Sequence, residues 1–184
     1  MMLLEKFGLV DADGKVTLEG WQLFSELLDL FGPYPRFAGI FPSPFGIFEK
    51  FMSKVVPCAI KMILIIGDEV YFTYRHDKFW TGHHIPGSYQ GPGETLVETC
   101  QRIADREVPG VKIISAEIIS AVTHPDSPRF HDTCLLTVVT FEGEPKNEIK
   151  GKWFNITEPP ADLIEVHQPY LPIITAYMKS KKLI

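Results

Sequence analysis

The stretch IPGSYQGPGETLVETCQRIADREVPGV, residues 85–111, limits what this chain can fold into more than any other. Pro86 and Gly87 open it, a loop with Gly91 and Gly93 follows, and Pro109 with Gly110 closes it. Glycine takes backbone conformations closed to other residues, so such a loop can approach a ligand closely. A helix entered from the loop presents free N–H groups to an anion. The spacing predicts that helix from Glu94-Thr95 to the breaker pair, with acids at the positive end of its dipole. At about 100° per residue, Leu96, Cys100, Ile103 and Glu107 share one side. Glu98, Gln101, Arg102 and Asp105 share the other, the face expected to be wet. Glu107 is out of place, an acid on the apolar side in the last turn, where the dipole disfavours it. A carboxylate there needs a partner, either a basic side chain or a metal.

A chain of 184 residues supports one domain, or one domain with an extension, and a sizeable core. Its formal charge of −5 supplies no basic footprint for nucleic acid. An anionic ligand would therefore need local cations or a metal to hold it. Cys58, Cys100 and Cys134 are scattered and form no CxxC pair, which argues against a zinc site or a disulfide framework. They read as buried thiols, two in strands and one on the apolar helix face, and suit a reducing cytoplasm. Residues 1–6 lack the basic start and apolar run of a signal peptide. The apolar run 59–66 is interrupted by Lys61 and is too short to cross a membrane.

In chain order, residues 11–15 read as a turn whose acids lack calcium-loop spacing. Thr17 is a candidate N-cap for a helix over residues 17–31, with Leu18, Trp21, Phe24, Leu28 and Phe31 in one apolar stripe. Residues 32–35 end it, and the aromatic, proline-rich residues 37–52 fit a subunit interface or a lid. Residues 58–66 and 70–75 read as strands joined in a hairpin at Gly67-Asp68. His83 and His84, being adjacent, point to opposite faces of a strand, with His84 kept as a candidate near the loop. Residues 112–122 and 133–141 read as strands around a polar loop carrying His124, Asp126, Arg129, His131 and Asp132. A charged hairpin with Asn147 and Glu148 leads to a strand at Trp153-Phe154. An amphipathic helix over residues 169–182 closes the chain, with Tyr170, Ile173, Ile174 and Tyr177 on one side. His167, just ahead of it, reads as a solvent-exposed loop residue. Strands alternating with helices indicate an α/β fold.

Residues 85–111 resemble the signature of the Nudix hydrolases, G-x5-E-x7-R-E-U-x-E-E-x-G-U, where U is aliphatic. Glu94 falls on the first acid, Arg102 on the arginine and Glu107 on the last acid, and Pro86-Gly87 matches the pair that usually precedes the box. Ser88 replaces the first glycine, Ile103 and Arg106 replace two glutamates, and Pro109 stands where the final glycine belongs. Ordinary members hold divalent cations with the box glutamates and hydrolyse a diphosphate linkage. Here Glu107 is left as the one strong ligand where several hard oxygen donors are wanted. The text GETLVETCQRIADRE is similar to the branch of GDP-mannose mannosyl hydrolase, which also lacks the Arg-Glu pair, binds a single magnesium and directs water to the sugar carbon.

The resemblance covers residues 55–178 and implies the Nudix α/β/α sandwich, with a mixed central sheet between the box helix and the C-terminal helix. Residues 1–54 become an N-terminal extension, a helix plus the proline- and aromatic-rich segment, suited to dimerisation; residues 55–184 become the Nudix-like domain. Glu107 and a loop carbonyl of Gly87 or Ser88 are implied as ligands to Mg2+ or Mn2+. Counting back from Trp153, Asn147 and Glu148 take the place of the branch's Gln-His pair, so Asn147 becomes a further ligand and Glu148 a candidate base. Arg75, at a strand end, suits a diphosphate, and Arg129 and His131 are further substrate contacts; for each, an ordinary surface role is the plain alternative. Glu94 and Arg102 are expected to pair and fix the loop. The function implied is a cytoplasmic, homodimeric hydrolase of a nucleoside diphosphate joined to another group, a sugar among them. The rival is a catalytically impaired module of the same fold that binds a nucleotide, metabolite or protein partner without turnover. Its motive is Ile103 and Arg106: an arginine paired with Glu107 or Glu98 would neutralise the metal site from within.

Overall fold

The apolar run that begins at Cys58 does not form one strand. It breaks at Leu64, whose side chain is fully buried and whose carbonyl accepts the Tyr71 N–H at 3.2 Å, and it passes there from one sheet into another. The computed structural model describes residues 7–9, 11–12, 15, 17–20, 22–23, 56–91, 93–129, 131–146 and 151–184. The elements in order are β1 (Cys58–Ile63), β2 (Ile65–Ile66), β3 (Glu69–His76), β4 (Thr81–His84), β5 (Gly87–Tyr89), α1 (Leu96–Glu107), β6 (Val111–His124), β7 (Asp132–Gly143), β8 (Gly151–Asn155), a 3-10 turn (Glu165–His167) and α2 (Tyr170–Ser180). The expected hairpin turn at Gly67 is present, but its first arm is only β2, paired with Val70 and Glu69 of β3.

By contacts the chain divides into two compact units, Met1–Phe41 and Pro42–Ile184. In the first, the expected turn is closed by Asp11 N–H on the Lys15 carbonyl at 2.8 Å and by Lys15 N–H on Asp11 Oδ1 at 2.9 Å. Thr17 Oγ1 accepts the Gly20 N–H at 3.0 Å, and residues 18–20 and 22–23 are helical. The other stripe residues, the stop at 32–35, the segment 37–52 with its expected subunit contact, and the expected domain boundary at residue 54 lie outside the described residues.

In the second unit, β1 pairs antiparallel with β5 and parallel with β7, and β6 pairs antiparallel with β7. The result is a mixed sheet of order β5-β1-β7-β6; a smaller sheet runs β2-β3-β4, with β8 antiparallel to β3. Alternation along β1 sends side chains to opposite faces. Ile60 and Met62 pack with Cys100, Ile103 and Ala104 of α1, together with Val111, Ile113 and Val139. Ala59 and Ile63 pack on the other face with Tyr170, Ile174 and Met178 of α2. A mixed sheet is thus enclosed between the two helices. Among the described residues, no helix is long and apolar enough to cross a membrane.

Both expected long strands are longer than predicted, because β6 and β7 pair with each other from Val111↔Gly143 to His124↔Asp132. The stop after α1 follows the breaker pair. Gly110 adopts φ +97°, and a methyl group there would lie 2.5 Å from the Glu144 carbonyl oxygen, so only glycine lets the chain turn directly into β6. Cys100 and Cys134 are buried free thiols, and burial pushes the Cys100 thiol up to about 12. Cys58 corrects the expectation of burial: as the first residue of β1 it is exposed.

Ile103→Ala should lower the unfolding free energy by about 2–5 kcal/mol, the cost of a cavity between helix and sheet. Thr95→Ala, at the N-cap of α1, should cost about 1 kcal/mol. Urea titration of the two variants checks both, and equal midpoints would refute this account of the core.

Candidate functional site

The junction between β5 and α1 positions the site. Thr95 is the N-cap: its Oγ1 accepts the Glu98 N–H at 3.2 Å, and Glu98 Oε2 accepts the Thr95 N–H at 2.8 Å. This capping box was present in the sequence as Thr95-x-x-Glu98. It leaves Glu94 free to face back across the loop. Glu94 accepts the Gly91 N–H at 2.8 Å and the Thr99 hydroxyl at 2.9 Å. Arg102 meets it with two bonds, Nε to Oε1 at 2.7 Å and an Nη to Oε2 at 2.6 Å, and also reaches the Tyr89 carbonyl at 2.9 Å and Ser88 Oγ at 3.2 Å. The Arg102 bonds, helped by the Gly91 N–H and Thr99 hydroxyl and opposed by partial burial, hold the Glu94 carboxyl down at about 2. Arg102, expected on the wet face, is half-buried by this role.

Glu107 ends α1 with its side chain only 17% exposed. One of its oxygens accepts the Gly87 N–H at 3.2 Å, and the other is ion-paired with Arg106. The same guanidinium donates to the Gly87 carbonyl at 3.1 Å. One cationic nitrogen therefore spans the two oxygens expected to hold a metal. Two hard oxygen donors converging on a single cation fit a small divalent ion whose remaining ligands come from elsewhere. Among the described residues, no group of three or more His, Cys, Asp or Glu side chains could hold a metal. Asn147 and Glu148 lie outside the described residues.

Beside Gly87 and within reach of Glu107 begins a cluster of histidines. His84 is buried in β4. Its Nδ1–H donates to the Ile85 carbonyl at 2.9 Å, so in the neutral ring Nε2 accepts from the Thr73 hydroxyl at 3.1 Å. That nitrogen is 3.9 Å from Glu107 Oε2. Burial first, then the charges of Arg75 and Lys61, push the His84 pKa down to about 3. His167 corrects the expectation of an exposed loop residue. It is 1% exposed, and its Nδ1 accepts the Ile85 N–H at 2.9 Å, an interaction across the fold that local sequence cannot announce. Burial, reinforced by Lys61, holds it well below the ordinary histidine value. His124 Nε2 is bonded to the Tyr170 hydroxyl at 2.6 Å. His83 points the other way, to Asp162 at 2.6 Å.

Lys61 is a site residue that was not among those expected. It stands opposite Gly87 in the β1/β5 register, at the centre of the sheet. The signal was there, a lysine interrupting an otherwise apolar strand. Arg75, by contrast, is engaged by Asp77, with Nε donating to Oδ2 at 2.9 Å, and its guanidinium lies 4.9 Å over the Trp80 ring. Arg129 is half-buried in the loop between β6 and β7, and its charge acts on the Tyr89 hydroxyl. His131 is exposed in the same loop. The structure thus gathers Gly87, Glu107, Arg106, His84 and Lys61 at one place, with Glu94 and Arg102 bracing the loop beside them.

No protein-family model and no curated protein matches the sequence. Solved structures do. The chain is similar to a MutT Nudix hydrolase from Burkholderia pseudomallei, with TM-score 0.57 and 16% identity over 65% of this chain and 98% of that one. It is similar to an ADP compounds hydrolase, with TM-score 0.54 and 14% identity over 71% and 77% of the two chains. A Nudix-family hydrolase from Clostridium perfringens aligns with TM-score 0.51 and 14% identity over 68% and 97%. The fold is that of the Nudix hydrolases.

Because the Glu94 carboxyl is depressed from 4.5 to about 2, its stabilising effect is complete above the unfolded value and is lost as the pH falls through the folded one. Glu94→Gln should therefore be less stable than wild type at neutral pH, with the difference shrinking between pH 4.5 and about 2. Denaturant melts across that range check it; a difference that does not depend on pH would exclude the ion pair as its source.

Proposed function

We propose that this chain is a divalent-metal-dependent hydrolase of the Nudix type, acting on a nucleoside diphosphate joined to another group, a sugar among the candidates. The observation that carries the reading is the single cation spanning Glu107 and the Gly87 carbonyl. Those two groups would hold Mg2+ or Mn2+, with Asn147 as a further donor. Such an ion, when bound, neutralises charge on a diphosphate leaving group. The chain's own residues supply the rest. Gly87 N–H orients the Glu107 carboxylate, and the Glu94–Arg102 pair keeps the loop carbonyls in place. His84 has both ring nitrogens engaged and stays neutral, so it accepts no proton from water at pH 7. The base role falls to Glu148, and substrate contacts to Arg75, Arg129 and His131. The fold similarity supports a small nucleotide derivative as ligand, the net charge of −5 speaks against nucleic acid, and the free thiols suit the cytoplasm.

Arg106 favours a second reading. It is half exposed, yet its guanidinium lies on both metal donors. Should it hold that place against a divalent ion, the chain binds its nucleotide without turning it over.

Calorimetric titration of Mn2+ in the presence of a nucleoside diphosphate sugar separates the two. The hydrolase reading expects saturable binding in the wild type, weakened about tenfold or more in Glu107→Gln, tightened in Arg106→Ala, and accompanied by release of a diphosphate product. Binding only in Arg106→Ala would install the second reading. No binding in any variant would remove the metal site altogether.

A further inference from the structure

We propose that Lys61 is a phosphate anchor, its ammonium holding a phosphoryl group of the ligand beside Gly87. The inference rests on the reading above for the identity of the anion as one half of a diphosphate.

Lys61 lies in the middle of β1, between Gly87 of β5 and Leu136 of β7. Its chain neighbours Ile60 and Met62 are fully buried. Lys61 itself is half-buried, so its stem lies against the sheet while its ammonium keeps part of its hydration. Among the described residues Lys61 makes no side-chain hydrogen bond and no ion pair. Glu107 is occupied by Arg106 and the Gly87 N–H. Asp132 lies within electrostatic reach of His124, Tyr89 and Cys134 but forms no ion pair with Lys61.

The surroundings do not favour an internal anion either. His84, His167 and His124 all feel the Lys61 charge and are held neutral by burial, so they add no second cation and no counter-charge. Arg75 adds its charge at His84 and His167 and Asp132 opposes at His124, but neither is bonded to Lys61, whose ammonium stays available to an external anion.

Gly87 joins this charge to the metal donors. A methyl group on its Cα would lie 2.7 Å from the Ile60 carbonyl oxygen, 3.0 Å from Lys61 Cδ and 3.6 Å from Lys61 Nζ. The lysine stem therefore runs over the bare Cα, while the N–H and C=O of the same residue engage Glu107 and Arg106. Two cations, Arg106 at the carbonyl and Lys61 over the Cα, thus approach one glycine through different atoms. A ligand that satisfies both must carry two anionic centres a short way apart, as a diphosphate does. Lysine suits this place as a point charge on a flexible stem.

The test uses inorganic pyrophosphate with the divalent metal chelated, titrated by calorimetry into wild type, Lys61→Met and Lys61→Arg, alongside thermal melts. Saturable binding in the wild type, retained within a few-fold by Lys61→Arg and weakened about tenfold or more in Lys61→Met, is the expected result. Lys61→Met should melt at or above the wild-type Tm, because an unpaired charge leaves the sheet. Equal pyrophosphate affinity in Lys61→Met, no binding in the wild type, or a clear fall in Tm for Lys61→Met would each overturn the proposal. Binding with this pattern but no turnover of any nucleotide would sink the hydrolase reading and leave the anchor standing.

Discussion

The two-point ion pair between Arg102 and Glu94 is the interaction on which the site depends. The described residues between β5 and α1 lie outside strand and helix, and their backbone groups need partners that a sheet or helix would otherwise supply. Arg102 supplies them from the side of α1, bonding the Tyr89 carbonyl and Ser88 Oγ while clamping Glu94, which in turn takes the Gly91 N–H. A planar fork matched to a carboxylate gives direction as well as energy. With the loop tied to the helix in this way, β5 stays paired with β1, and Gly87 is delivered to the end of α1 where Glu107 waits.

Gly87 then concentrates the chemistry. Its N–H, C=O and bare Cα face three different charged side chains, Glu107, Arg106 and Lys61. The charges are not balanced within the group. Arg106 offsets Glu107, and Lys61 is left over. Lys61 is half-buried, its stem in the sheet and its ammonium partly open, so the unmatched charge stays within reach of a ligand. The neutral histidines behind it follow from the same constraint: burial already penalises a charged imidazole, and the neighbouring ammonium penalises it further.

The helix and its ends could be read from residues 85–111 because they are local. Thr95 and Glu98 cap it within one turn, Gly110 ends it, and the 3.6-residue period places Cys100 and Ile103 inward. The two long strands and the closing helix were legible for the same reason. The break at Leu64 was not, because an apolar run has no mark at the point where it changes sheets. Cys58 looked like its strand neighbours, yet it begins the strand and is exposed. His167 looked like a loop residue, yet a partner 82 positions away takes it into the core.

The sequence by itself determined the local pieces: a glycine loop, a helix that follows it, and an acid on the inward face of that helix's last turn. Those are properties of composition and short-range spacing, and they survive without knowledge of the fold. Only the tertiary structure decided what each charge meets. Glu107 and Arg106 are neighbours in the chain, but their shared hold on Gly87 arises from strand pairing across some twenty residues. Lys61 acquired meaning only when β1 was set against β5, because a charge is defined by its partners, and pairing across a sheet is a long-range choice that no local pattern encodes.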